Sequence, residues 1–362
     1  MNYIRNILIT DVGHPVTASA IETLRGVASC TYNIIGIDHS VANYPVGRLW
    51  VDQHYVVPSP EDIEGYTRAV LDICIQHKVD VIVPWTNEEA IIFAEHASIF
   101  SDHNIKILTS DVSGINKVVD KYFLMNNLKE FGFATPLYHS VDTLQELVSA
   151  VKILGYPAKK VVVKPRNLSG ARGFCLLDQD SDISERGFSS LPFSAYLEII
   201  KHLPHAKQND LDLIAMEYLS GEDYSVDVLA RESKSIAIIP RLRLQATGGV
   251  SSMGETIEAP KVSRIASNVV EAFGLNLNVN VQMRYRRGRQ GEPFVYDVNP
   301  RISGTIAAND HVGINFIHEG IQVLLGESPS LSKKSTYTHA IMIRRWKEEY
   351  IDLKGNFEAT VR

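Results

Sequence analysis

In the stretch FVYDVNPRISGT, Phe294 to Thr305, an acid, an amide and a base stand two residues apart at Asp297, Asn299 and Arg301, in a run otherwise built like a strand. Alternate side chains of a strand share a face, so the carboxylate, the carboxamide and the guanidinium point the same way. Upstream, VNVQMR (279–284) sets Asn280 and Gln282 on one face of a second strand, and the turn RRGRQGEP between the two predicts a hairpin. Hard divalent ions, Mg2+ or Mn2+ in its place, take oxygen ligands and complete their shell with water and phosphate. Asp297 with the amide oxygens of Asn299 and Gln282 is such a set. Pro300 has no N–H to give a ladder, so the strand ends directly after Asn299, and Arg301 follows where it can reach a transferred phosphate. The plainer reading, an amide ladder on an exposed face with one ion pair, explains neither the proline nor the arginine.

Two further stretches suit a phosphate-bearing ligand. In VVVKPRNLSGARGFCLL a β-branched strand ends at Lys164, and the loop after it holds Ser169, Gly170, Arg172 and Gly173. Glycines there let backbone N–H groups face an anion while the lysine adds a point charge; a plain hairpin turn is the alternative. In MEYLSGEDYSVDV, Glu217 closes a strand, Tyr218 and Leu219 form a linker, Gly221 turns, and Asp223, Ser225 and Asp227 alternate on the next strand. Such a linker offers backbone groups to an adenine edge and an acid to ribose hydroxyls, or else the acids lie solvated on an outer face. Substrate contacts are sought at His14 in DVGHP, at Glu88 and Glu89 in PWTNEEA, at Arg241, Arg243 and Gly249 in RLRLQATGG, and at His311. Arginine grips carboxylates bidentately, although Arg241 and Arg243 equally read as outward residues of a strand, and His311 as part of a helix-start cap.

The elements that position these residues fall into four stretches. Residues 1–112 alternate short apolar runs with helical segments, which predicts an α/β platform with a parallel sheet. Its first turn keeps only Gly13 of a G-x-G-x-x-G pattern, which argues against a nicotinamide site. Residues 113–215 read as a helical segment and a small lid subdomain, and 216–330 as an antiparallel sheet with helices on one face, with the strand DLIAMEYL at its head. Residues 331–362 hold one strand and a tail.

Hydrophobic residues make up 45% and charged residues 22% of 362 positions, an ordinary folded balance. The net charge of −6 without a basic stripe excludes a nucleic-acid surface. The three cysteines show no metal or redox spacing and read as reduced core thiols, so a cytoplasmic protein without membrane contact is expected.

Taken in order, Lys121 in DKYFLMNNL, Lys164, MEYLSGEDYSVD, NVNVQMR and VYDVNPRISG resemble the ATP-grasp superfamily over residues 1–325, most of all the synthetase unit of the carbamoyl-phosphate synthetase large chain and the amino-acid ligases. The resemblance implies the ATP-grasp fold, α/β and α+β, with ATP and Mg2+ bound. It implies that Lys121 and Lys164 hold the α- and β-phosphates, and that residues Ser169 to Gly173 form the lid. Glu217, Tyr218 and Leu219 become the adenine hinge and Asp223 the ribose acid. Gln282, Asp297 and Asn299 become the metal ligands, and Arg301 the γ-phosphate residue. Asp223 and Asp297 stand where Glu is commoner. The implied activity is an ATP-dependent ligase that activates a small carboxylic or amino acid as an acylphosphate for attack by an amine. Phosphorylation of bicarbonate or carbamate, and a non-catalytic nucleotide-binding protein, are the alternatives. A homodimer is the default expectation.

Overall fold

A computed structural model describes residues 3–40, 48–168, 170, 172–181, 190–203, 210–247, 250–331 and 339–345. The first sheet is all parallel. It joins β1 (Tyr3–Thr10), β2 (Cys30–Asp38), β3 (Gln53–Val56), β4 (Val81–Val83) and β5 (Lys106–Ile107) in the order β3-β2-β1-β4-β5. Its strands read as continuous apolar runs because both faces are covered: Ile7 and Ile9 enter one core while Leu8 enters another. The chain leaves β1 toward one edge and returns at β4 for the other, so the carboxyl ends of β1 and β4 flank a topological switch point, where open α/β sheets bind ligands. DVGHP follows β1 and PWTNEEA follows β4. The edge strand β3, four residues long and opening on an exposed glutamine, went unrecognised in the sequence.

A second sheet contains β6 (Tyr138–Val141), β7 (Val161–Pro165), β8 (Cys175–Leu177), β9 (Ser190–Leu191) and β10 (Leu213–Glu217), in the order β6-β10-β7-β8-β9. The helices Leu144–Ile153 and Phe193–Lys201 bury Leu147, Val151, Tyr196 and Ile200 against it. Strand β10, expected at the head of the third unit, lies here between β6 and β7. Leu213 and Ala215 face this core while Ile214 and Met216 face the next, so its apolar run carries no mark of which sheet it joins.

The third sheet is antiparallel: β11 (Asp223–Arg231), β12 (Lys234–Thr247), β13 (Val250–Thr256), β14 (Leu277–Arg284), β15 (Phe294–Asn299) and β16 (Ala340–Ile343), in the order β15-β14-β11-β12-β13-β16. One face carries Tyr224, Val226, Val228, Val279, Val281, Met283 and Val298, packed on Val262, Ala266, Val269 and Phe273 of the helix Pro260–Phe273. Strand alternation therefore sends the intervening polar residues to the opposite face. Among the described residues no helix is long and apolar enough to cross a membrane.

Candidate active site

Strand pairing arranges those polar residues in rows. Asp227 on β11 stands opposite Asn280 on β14, which stands opposite Asn299 on β15; the neighbouring row runs Arg241, Ser225, Gln282, Asp297 across β12, β11, β14 and β15. The hairpin and its shared face are thus as expected. The face is not solvated, however: Asn280 and Asn299 are each 1% exposed.

Nδ2 of Asn299 donates to Oδ2 of Asp297 at 3.3 Å, while its Oδ1 accepts from Asn87 Nδ2 at 2.9 Å and from Arg301 Nη2 at 3.3 Å. Gln282 borders them, with Nε2 3.4 Å from Asn280 Oδ1. Among the described residues there is no group of three His, Cys, Asp or Glu able to hold a metal, so a cation here would meet one carboxylate and neutral amide oxygens. That donor set suits a hard ion whose remaining charge balance comes from phosphate. Oδ1 of Asn87 is buried without a hydrogen-bond partner. The nitrogen of that amide holds Asn299, and the fit of a cation rests on the donor set itself, one carboxylate with the amide oxygens of Asn299 and Gln282. Asp297, Asn299 and Gln282 therefore fit Mg2+.

Cations converge on the same place. Lys164, at the end of β7, reaches the main-chain oxygen of Tyr296 at 3.3 Å. Its pKa is lowered to about 8, first by burial and then by the charge of Lys121, against the opposing pull of Asp297. Lys121 opens the helix Lys121–Glu130 and donates to the carbonyls of Arg166 at 3.2 Å and Leu168 at 2.6 Å, directly under the glycine loop. Burial also lowers the pKa of Arg301, while Asp297, Glu88 and Asp227 act to raise it. Its Nη1 donates to Ile302 O at 2.7 Å, and its Nε is buried without a partner. In the loop, Gly170 and Gly173 adopt φ of +67° and +72°, conformations that other residues reach only under strain. Ser169 lies outside the described residues. Arg172 forms an ion pair with Glu88 in the first turn of the helix Asn87–Glu95, joining this loop to the first domain.

In the 217–219 linker, Glu217 Oε1 accepts from Arg286 Nη2 at 2.7 Å, Leu219 O from Arg284 Nη1 at 3.2 Å, and the Tyr218 ring lies 5.9 Å from the Arg284 guanidinium. Asp223 is not a solvated acid. It accepts from Tyr296 Oη at 2.8 Å and from Arg284 Nη2 at 3.2 Å, and pairs with Arg243 Nη1 at 3.4 Å.

The substrate candidates separate. His14 lies at the site; burial and then the charges of Arg301 and Arg344 lower its pKa. Glu88 faces the loop through Arg172. Glu89 instead locks the fold: it completes the capping box with Thr86 and accepts from Thr10 Oγ1 at 2.6 Å and Tyr66 Oη at 2.8 Å. Arg241 is not an outward residue but is 2% exposed and ion-paired to Asp227 at 2.7 Å. Arg243 bonds Ser251 Oγ at 3.1 Å and Tyr296 Oη at 3.2 Å. His311 is exposed at the end, not the start, of the short helix Ala307–His311. Gly249 lies outside the described residues. Asn87, Asp11 and Arg344 were missed. Asn87 and Asp11 stood inside runs already singled out, whereas Arg344 sits just past β16 with a buried Nη1 that has no partner.

A parallel platform, a small mixed sheet and an antiparallel sheet whose polar face meets both make up the ATP-grasp fold, and solved structures share it. The biotin carboxylase of Campylobacter jejuni, in complex with β,γ-ATP, superposes with a TM-score of 0.68 at 17% identity, over 93% of this chain and 74% of that one. The L-amino acid ligase of Bacillus licheniformis does so with 0.63 at 16% identity, over 91% and 76%. A family model described as "ATP-grasp in the biosynthetic pathway with Ter operon" matches residues 209–348. The carbamoyl phosphate synthase large chain of Methanobrevibacter smithii is 24% identical over 213 residues; the match covers 56% of this chain and only 18% of that relative's length. The chain has the ATP-grasp fold, and its residues 209–348 match an ATP-grasp family model.

Proposed function

We propose that the chain is an ATP-dependent carboxylate–amine ligase that activates a small carboxylic or amino acid as an acylphosphate, which an amine then attacks, with release of ADP and phosphate. The observation that carries this reading is the convergence of Lys164, Lys121 and Arg301 on the buried face bearing Asp297, Asn299 and Gln282. Lys121 and Lys164 hold the α- and β-phosphates, and the 217–219 linker with Asp223 receives adenine and ribose. A bound Mg2+ supplies neutralisation of phosphate charge. Arg301 stabilises the charge that develops as the γ-phosphoryl moves to the acceptor carboxylate. The loop through Gly170 and Gly173 closes over the site, because water would hydrolyse the intermediate. The free donors at Arg301 Nε and Arg344 Nη1, with His14 nearby, suit an acid as acceptor.

The likeness to a carbamoyl phosphate synthase favours, as a second reading, bicarbonate or carbamate as the acceptor. Phosphate release with Mg2+ and ATP, measured across amino acids, small carboxylic acids and bicarbonate with and without an amine, tests both. Release that needs one acid and one amine, and is lost in Lys164→Ala, supports the ligase. Release driven by bicarbonate alone supports the second reading. No release despite ATP binding overturns both.

A further inference from the structure

Beneath the turn that follows β15 lies a polar network with no part in the reading above. Asp227 on β11 and Arg241 on β12 form an ion pair at 2.7 Å, each side chain 2% exposed. Asp227 also accepts from Asn280 Nδ2 at 2.8 Å, from Ser303 Oγ at 3.1 Å and from Asn309 Nδ2 at 2.8 Å. Arg241 donates to Thr305 Oγ1 at 2.6 Å, to Ser303 Oγ at 3.2 Å and, through Nη1, to Asn309 Oδ1. Removing two charges from water offsets most of what their attraction returns, so such a pair adds little net stability and is better explained by the geometry it enforces.

What it enforces is the path of the chain around Arg301. Two of its partners, Ser303 and Thr305, lie in the turn directly after that residue, and a third, Asn309, lies in the short helix beyond it. The guanidinium is held by two acceptors, Ile302 O at 2.7 Å and Asn299 Oδ1 at 3.3 Å. Ile302 adjoins Ser303 in the chain, and Asn299 stands opposite Asn280, which Asp227 binds. Each support of Arg301 is therefore one step from the network.

We propose that the Asp227–Arg241 pair, acting through Ser303, Thr305 and Asn280, fixes the 299–305 turn so that Arg301 is held in register with the γ-phosphate. Both are positioning residues and touch no ligand. This rests on the γ-phosphate contact of Arg301 proposed above. Arg241, expected to grip a substrate carboxylate, serves instead to hold the residue that meets the phosphate.

Thr305→Val keeps the shape, leaves the ion pair intact and removes one anchor. Ser303→Ala removes a second anchor should the first variant not fold. Calorimetric titration with ATP and with ADP, each with Mg2+, is run beside thermal unfolding, with Arg301→Gln as reference. The expected result is a loss of about fivefold or more in ATP affinity, unchanged ADP affinity, a nearly unchanged melting temperature, and recovery in Thr305→Ser. Wild-type preference for ATP over ADP in both anchor variants, with that preference lost in Arg301→Gln, overturns the positioning role alone. Equal weakening of ATP and ADP together with a lowered melting temperature also overturns it, since that is what a purely structural role gives. If Arg301→Gln itself keeps the preference, the γ-phosphate contact is wrong and the inference falls with it.

Discussion

Nζ of Lys164 lies 3.3 Å from the main-chain oxygen of Tyr296, so a lysine of the second sheet touches the strand of the third that carries Asp297 and Asn299. Burial, aided by Lys121, lowers its pKa from 10.5 to about 8. A bound triphosphate favours the charged form, so binding above about pH 8 must take up a proton. ATP affinity is expected to be flat toward neutral pH and to fall by up to about tenfold per pH unit above the free-protein pKa, a dependence that Lys164→Ala abolishes. The free fold responds in the opposite direction. Between about 8 and 10.5 the unfolded chain binds more protons at this residue, so its contribution to stability rises with pH. Titrations in buffers of different ionisation enthalpy check both the slope and the proton uptake; an affinity that ignores pH contradicts the assignment.

Asn87, at the start of the helix Asn87–Glu95, reaches across to Asn299 and orients its amide. Partners that hold a metal ligand typically matter by about tenfold to a hundredfold in metal affinity. Asn87→Ala should therefore weaken Mg2+-dependent ATP binding by about tenfold. It should hardly move the melting temperature, because one of the two polar atoms removed is already unpaired. Mg2+ titrations at fixed ATP measure the effect. A variant that melts well below the wild type with unchanged Mg2+ dependence would make the contact structural.

The face shared by Gln282, Asp297 and Asn299 was legible because strand alternation has a period of two and Pro300 marks where it stops. Alternation does not say what covers a face, and that is why an outward reading stood open for Arg241 and Asp223, when one lies in a buried ion pair and the other in a half-buried one. Strand β10 was misplaced for a related reason, since a run buried on both sides carries no label for its sheet. Asn87 and Asn299 are 212 residues apart in the chain, and no local periodicity announces such a meeting. The switch point between β1 and β4 accounts for why the two loops singled out in the first domain both end at the site.

Gly221 is set by space rather than by φ. A Cβ there would stand 2.5 Å from Tyr285 O and 2.7 Å from Gly288 O, both main-chain atoms. Gly221→Ala must push the 218–222 linker off the β14–β15 turn, at about 1–3 kcal/mol. Because that linker is the proposed adenine hinge, ATP and ADP affinities should fall together. This distinguishes it from Arg301→Gln, which acts on ATP alone. Unchanged affinities for both nucleotides would place adenine elsewhere.

Asp11 sits at the carboxyl end of β1 with φ of +50°, a left-handed conformation that Asn tolerates as well as Asp. Burial, with the charge of Asp38 beside it, raises its pKa from 3.8 to about 6, while His39 and Arg172 pull the other way. A carboxyl group whose folded pKa exceeds its unfolded one binds more protons when folded. Stability is therefore lost as pH rises from about 3.8 through 6, and the penalty persists above that window. Asp11→Asn removes the charge without changing shape or backbone preference. It should stabilise the fold at neutral pH by up to about 3 kcal/mol, at 1.36 kcal/mol per unit of pKa, and the gain should vanish below about pH 4. Urea unfolding at both pH values measures it, and equal stability at neutral pH would mean that the carboxylate is not penalised. A charge kept at that cost, close to Arg172 and Glu88 in the loop contact, is expected to serve the reaction. The stabilised variant should accordingly turn over more slowly while binding ATP as well as the wild type does.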